Sequence, residues 1–228
     1  MTGKSLKSPN FGERRNGLTP ELVVIHYTAM KDCAGAAKAL CDPAREVSAH
    51  YLIGRDGEVL SLVDEPLRAW HAGAGAWRGA GDVNSRSIGI ELDNDGFSPF
   101  SEPLMAALER LLAQGILPRW EIPPEGVIGH SDMAPGRKID PGRRFDWKRL
   151  ARQGLAVWSE AGGDWVDAAR FRADAAAFGY PSVEDDLLLE VVRMRFRPWK
   201  HGPLDGEDCA VMADLAARYG VDRDTTAP

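Results

Sequence analysis

Three short apolar runs, each ending on a chemically useful side chain, set the limits on how this chain can fold. Leu22-Val23-Val24-Ile25 leads into His26, Ile88-Gly89-Ile90 into Glu91, and Val127-Ile128-Gly129 into His130. Runs of this length, rich in β-branched residues and bounded by polar or turn-forming positions, read as buried strands. His50-Tyr51-Leu52-Ile53 and Val59-Leu60-Ser61-Leu62-Val63 flank Arg55-Asp56-Gly57-Glu58 and predict a hairpin around the Asp-Gly turn. Helical patterns fill the intervals. Residues 34–40 form one, and residues 146–153 another. Between them, Pro103 to Gln114 places Leu104, Leu108, Leu111 and Leu112 on one face, with Pro103 suited to a first turn. Strands interleaved with helices predict an α/β architecture whose sheet is either parallel or mixed.

The pattern changes near Gly154. Beyond the Gly162-Gly163 pair, which suits a linker, three helices are predicted over residues 165–178, 183–195 and 207–219. The second carries Leu187, Leu188, Val191, Val192 and Met194, and the third Val211, Leu215 and Tyr219. A chain of 228 residues accommodates a catalytic domain over 1–155 and a small three-helix domain over 156–228.

The formal net charge of −6 and a pI near 5.4 leave no basic footprint for a nucleic acid. Cys33, Cys41 and Cys209 are odd in number and lack CxxC spacing, so they read as reduced thiols of a cytosolic protein, not as a disulfide framework or a Cys-rich zinc site. Met1 to Arg15 lacks the apolar run of a secretory leader, and nothing approaches the roughly 20 apolar residues of a membrane span. A cytoplasmic location with no membrane partner is therefore expected. Self-association leaves no mark in the sequence.

Chemistry concentrates at the strand ends. His26 and His130 close two separate apolar runs, and Asp140 follows His130 by ten residues. Two imidazoles and one carboxylate suffice to hold Zn²⁺ with a fourth position open, the arrangement of a catalytic zinc. The wording around these residues is more specific. The run His130-Ser131-Asp132-Met133-Ala134-Pro135-Gly136-Arg137-Lys138-Ile139-Asp140-Pro141-Gly142 resembles the metal-binding segment of the AmpD-like N-acetylmuramoyl-L-alanine amidases. His26-Tyr27-Thr28, Ser48-Ala49-His50-Tyr51, Trp70-His71-Ala72-Gly73 and Asn84-Ser85-Arg86-Ser87-Ile88-Gly89-Ile90-Glu91 are similar to further blocks of that family, in the same order, between Pro9 and Gln153.

The resemblance implies the fold these amidases share with peptidoglycan recognition proteins, a mixed central sheet flanked by helices. It also implies that His26, His130 and Asp140 bind zinc, that Glu91 is the acid/base, and that Lys138 stabilises the developing oxyanion. The reaction implied is hydrolysis of the amide between N-acetylmuramic acid, or its 1,6-anhydro form, and the L-alanine of a muropeptide. Zinc suits such a bond, because it polarises the carbonyl and brings a water's pKa to about 7. Arg137 is a candidate for a peptide carboxylate, and Asn84 and His71 are candidates for sugar or peptide amides. Phe178-Gly179-Tyr180-Pro181, Phe196-Arg197-Pro198-Trp199 and Leu204-Asp205-Gly206 give the C-terminal helices a resemblance to the small peptidoglycan-binding domain that follows some of these enzymes.

Other readings stand beside these. His50 suits a hydrogen bond within the sheet, His201 a surface position, and Trp70 and Trp77 either sugar stacking or core packing. A non-catalytic peptidoglycan-recognition protein is the main alternative, and the presence of His26, His130, Asp140 and Glu91 together favours turnover. A zinc peptidase would require HExxH or a related helical pair, and the sequence has neither.

Overall fold

A computed structural model describes residues 4–221 of the protein. In chain order the elements are β1 (Lys4–Ser5), β2 (Phe11–Gly12), β3 (Leu22–Tyr27), α1 (Cys33–Leu40), β4 (Tyr51–Ile53), β5 (Val59–Ser61), β6 (Arg68–Ala69), α2 (Val83–Arg86) and β7 (Ser87–Leu92). There follow α3 (Glu102–Leu111), α4 (Leu117–Trp120), β8 (Val127–Gly129), α5 (His130–Met133), α6 (Trp147–Ala151), α7 (Ala168–Phe178), α8 (Asp185–Phe196) and α9 (Gly206–Tyr219). Six strands make one sheet in the order β1-β5-β4-β7-β3-β8, while β2 and β6 pair separately. The sheet is mixed: β3 runs parallel to both β7 and β8, β7 runs parallel to β4, and β4 turns back on β5 as the Asp-Gly hairpin requires.

Alternation along β3 divides the core, because successive side chains of a strand point to opposite faces. Val23 and Ile25 join Ile88 and Ile90 of β7 against Leu104, Leu108 and Leu111 of α3. Leu22 and Val24 join Ile128 of β8 on the other face, and there they meet Phe171, Phe178, Leu188, Val192 and Leu215 of the C-terminal helices. Thus α7, α8 and α9 pack together and also roof one face of the sheet. Aspartate caps set the starts of α7 and α9: Asp167 accepts from Arg170 N–H, and Asp205 from Asp208 N–H. The chain leading to the expected Gly162-Gly163 linker is packed down, with Leu155, Ala156 and Val157 buried; the two glycines are exposed, and Gly163 lies beside Gly206 and Ala210 of α9.

The helix expected to end at Gln114 continues through one π turn at Leu112–Ile116 into α4. Pro118 is the physical reason. It has no N–H to give an α-helical ladder and stands in the first turn of α4, where none is needed. The widened turn lets the chain carry on past it.

Candidate metal centre and active-site cleft

Strands β7, β3 and β8 lie abreast and parallel, so their carboxyl ends open on one rim of the sheet, where open α/β sheets place their ligands. Register does the rest. His26 stands directly opposite Glu91, and since Ile25 pairs with Gly129, His130 follows one step beyond on the other flank. The loop after α5 returns Asp140 to the same spot, where its carbonyl accepts from Ser131 N–H at 2.9 Å.

Three donor atoms converge there. His26 Nδ1 lies 2.9 Å from His130 Nδ1 and 2.9 Å from Asp140 Oδ2, and His130 Nδ1 lies 3.0 Å from the same oxygen. Donors held about 2.0–2.2 Å from one tetrahedral ion lie about 3.3–3.6 Å apart, so the triangle is within a few tenths of an ångström of the size an ion needs. Proton accounting says the same. Ser87 Oγ–H donates to Val83 O (2.5 Å), so that oxygen must accept from His71 Nε2–H (3.2 Å). His71 Nδ1 is then bare and accepts from His26 Nε2–H at 3.0 Å, which leaves His26 Nδ1 with a lone pair. His130 Nε2–H donates to Ala72 O at 2.9 Å, which bares its Nδ1 as well. Burial, reinforced by the neighbouring His130, lowers His26 to about 4, and burial with His26 beside it holds His71 well below the usual imidazole range. Two lone pairs and a carboxylate oxygen therefore face one another with no proton between them. Only a cation makes that arrangement favourable.

Glu91 borders the cluster. Burial, then the charge of Asp140, raises its carboxyl to about 8, with Lys138 pulling the other way. Its Oε2 is enclosed and has no hydrogen-bond partner among the described residues. A cavity of about 570 Å³ opens in front, and His26, His71, Glu91, His130, Arg137, Lys138 and Asp140 all border it. Trp70 and Tyr27 contribute to its wall, and Met30, Leu40 and Val47 make one side apolar.

Seven of the eight candidate residues thus meet in one cleft. Asn84 is the exception: it is buried behind the wall, and its Oδ1 accepts from His71 N–H (3.1 Å) and Ala72 N–H (2.8 Å). It braces the loop that carries His71 and the Ala72 carbonyl. Arg137 is partly committed, since Nη2 donates to the carbonyls of Ala72 (2.5 Å) and Ala74. His50 bonds within the sheet, accepting from Gly89 N–H at 2.9 Å. Trp77 is core, edge-on to Phe178 and Tyr180, and His201 is exposed. Two contributors escaped the sequence reading. Ser87 is an unremarked hydroxyl inside a strand, and Gly89 leaves the space in which the His71 ring lies, since a Cβ there would come within 2.4 Å of it.

Residues 16–143 match the family described as N-acetylmuramoyl-L-alanine amidase, Amidase_2. The N-acetylmuramoyl-L-alanine amidase AmiD of Escherichia coli strain K12 is 36% identical over 237 aligned residues, which cover 89% of this chain and 84% of that protein. A structure of E. coli AmiD with the substrate anhydro-N-acetylmuramic acid-L-Ala-D-gamma-Glu-L-Lys superposes with a TM-score of 0.81 at 34% identity, covering 92% of this chain and 98% of the other. AmpDh3 of Pseudomonas aeruginosa in complex with anhydromuramic pentapeptide gives a TM-score of 0.74 at 32% identity, covering 94% and 96%.

Proposed function

The chain belongs to the Amidase_2 family of N-acetylmuramoyl-L-alanine amidases, and we propose that it uses zinc to hydrolyse the amide between N-acetylmuramic acid, or its 1,6-anhydro form, and the L-alanine of a muropeptide. The observation that carries this reading is the convergence of the bare Nδ1 atoms of His26 and His130 with Asp140 Oδ2, beside the enclosed carboxyl of Glu91. A mixed nitrogen and oxygen donor set, serving a hydrolysis with no redox change, supports zinc over a redox metal. When bound, the ion supplies Lewis acidity to the amide carbonyl and acidifies a water.

The protein's own groups do the remaining work. Glu91, whose affinity for a proton is raised by burial, takes the proton of the attacking water and delivers it to the L-alanine nitrogen as the C–N bond breaks. Lys138 lies at the cleft and its charge already acts on both Glu91 and His26, so it offsets the negative charge that develops on the carbonyl oxygen. His71 holds His26 in the tautomer that presents Nδ1. Arg137, with Nη2 spent on the cleft wall, offers its other N–H groups to a stem-peptide carboxylate. Asn84 acts through the loop it braces and not by contact with substrate.

Residues 1–155 carry the chemistry in this reading. A glycan contact by residues 156–228 is supported by the exposed indoles of Trp165 and Trp199. Three unpaired thiols support a cytoplasmic site of action on recycled fragments, and no helix among the described residues is long and apolar enough to cross a membrane. The test is direct. Chelator-treated protein mixed with an anhydromuropeptide should release no peptide by mass spectrometry, and one equivalent of Zn²⁺ should restore release. Full activity in protein shown to hold no metal would defeat the reading.

A further inference from the structure

The C-terminal helices reach the turn that delivers His130. Asp132, two residues on, is 1% exposed. Its Oδ2 accepts from Gly129 N–H at 2.8 Å, which ties back the start of α5, and the same oxygen accepts from Arg195 Nη1 of α8 at 2.6 Å. Oδ1 accepts from Tyr180 O–H at 2.9 Å. Arg195 Nη2 donates to Val127 O at 3.0 Å, at the first residue of β8. One guanidinium therefore grips the segment that carries His130 both before and after it. The fork is itself fixed, lying 4.3 Å from the centre of the Trp147 ring, and α8 also presses Leu187 against Gly136, next to Arg137 and Lys138. Among the described residues, the cation within ion-pair reach of Asp132 is Arg195. A carboxylate so enclosed is costly without its partner.

We propose that Arg195, assisted by Tyr180, is a positioning residue of the metal centre: by clamping Asp132 it fixes the direction in which His130 presents Nδ1, so that metal affinity is set in part from the C-terminal helices. The proposal rests on His26, His130 and Asp140 being the metal site. It concerns binding, so it is tested without turnover, by titrating full-length proteins with Zn²⁺ against a chromophoric chelator.

Arg195→Met should weaken Zn²⁺ binding by about 10- to 100-fold, the range seen when a metal ligand loses its outer support. Arg193→Met is the matched control, because Arg193 makes a comparably buried pair with Asp208, 2.5 Å away and wholly within the C-terminal helices; its affinity should equal that of wild type. Adding Asp132→Asn to Arg195→Met should recover most of the loss, since the single amide oxygen can still accept from Gly129 N–H, the amide NH2 can donate to the Tyr180 hydroxyl oxygen, and the stranded charge is gone. Tyr180→Phe removes one hydrogen bond and should cost about fivefold. Equal affinity in wild type and Arg195→Met, or equal losses in Arg195→Met and Arg193→Met, overturns the proposal. If Arg195→Met does not fold, wild-type affinity in Tyr180→Phe overturns it instead. A wild-type protein that takes up no Zn²⁺ overturns the metal reading and this proposal together, whereas the preceding outcomes defeat the clamp alone.

Discussion

Ser87 fixes a tautomer two residues removed from the proposed metal position, through His71 and then His26. Ser87→Ala takes away the oxygen that accepts from His71 Nε2–H, after which His26 is free to carry its proton on Nδ1. Zn²⁺ affinity should fall about tenfold or more, and chelator competition returning the wild-type value would reject the relay. Glu91→Gln keeps the shape of the site and removes the carboxyl proposed as the proton carrier. Turnover should drop about 10²- to 10⁴-fold with zinc content unchanged, by parallel kinetics and metal analysis. A pH effect follows from the same carboxyl. Burial raises it from 4.5 to about 8, so between these values the folded, metal-free chain holds a proton that the unfolded chain has lost. Glu91's contribution to stability is therefore complete below pH 4.5 and disappears as pH rises through 8. Urea midpoints of chelator-treated wild type should decline over that interval relative to Glu91→Gln, and parallel curves would refute the shift. That His26, His130, Asp140, Glu91 and Lys138 border one cleft was legible because His26, Glu91 and His130 each close an apolar run, and Lys138 and Asp140 belong to one specific word. Asn84 was not, since a polar loop residue looks the same whether it meets a ligand or its own backbone. Ser87 was legible only as one letter of the block 84–91, which assigns its hydroxyl no role.

Strand register brings these groups together, and the glycine opposite His71 permits it. Gly89→Ala would drive a methyl group into the His71 ring, so metal affinity and thermal stability should both fall. Gly115→Ala, in the π turn, meets nothing nearer than 3.7 Å and should leave metal binding untouched while stabilising by up to about 1 kcal/mol, the helix-propensity difference. Calorimetry and chelator titration of the pair separate the two cases. β3, β7 and β8 could be read from the sequence because buried strands need unbroken apolar runs. β1, β2 and β6 could not: at two residues each they show no periodicity and are held by backbone pairing to distant segments. The π turn was hidden for a related reason, since Pro118 reads locally as a stop and only the tertiary packing of Ile116 and Leu117 keeps the helix going.

At the scale of the molecule, the C-terminal helices and the sheet share one core. Removing residues 165–228 would uncover Leu22, Val24, Trp77 and Ile128, all buried against those helices. Each such side chain is worth about 1.5–3 kcal/mol, against a total stability of about 5–15 kcal/mol. The truncated chain should fail to give a cooperative thermal transition, while the intact chain should melt in one step; a soluble, active truncation melting sharply would contradict this. The three helices were readable from their spacing. Their docking was not, because Leu22 and Val24 look equally buried whatever covers them. The alternation along β3 also has a bearing on protein engineering. Anyone transplanting the catalytic sheet into a fusion or a minimised enzyme would inherit an oily underside, and would have to recolour those positions with polar side chains and supply Asp132 with a new counterion before the module could stand by itself.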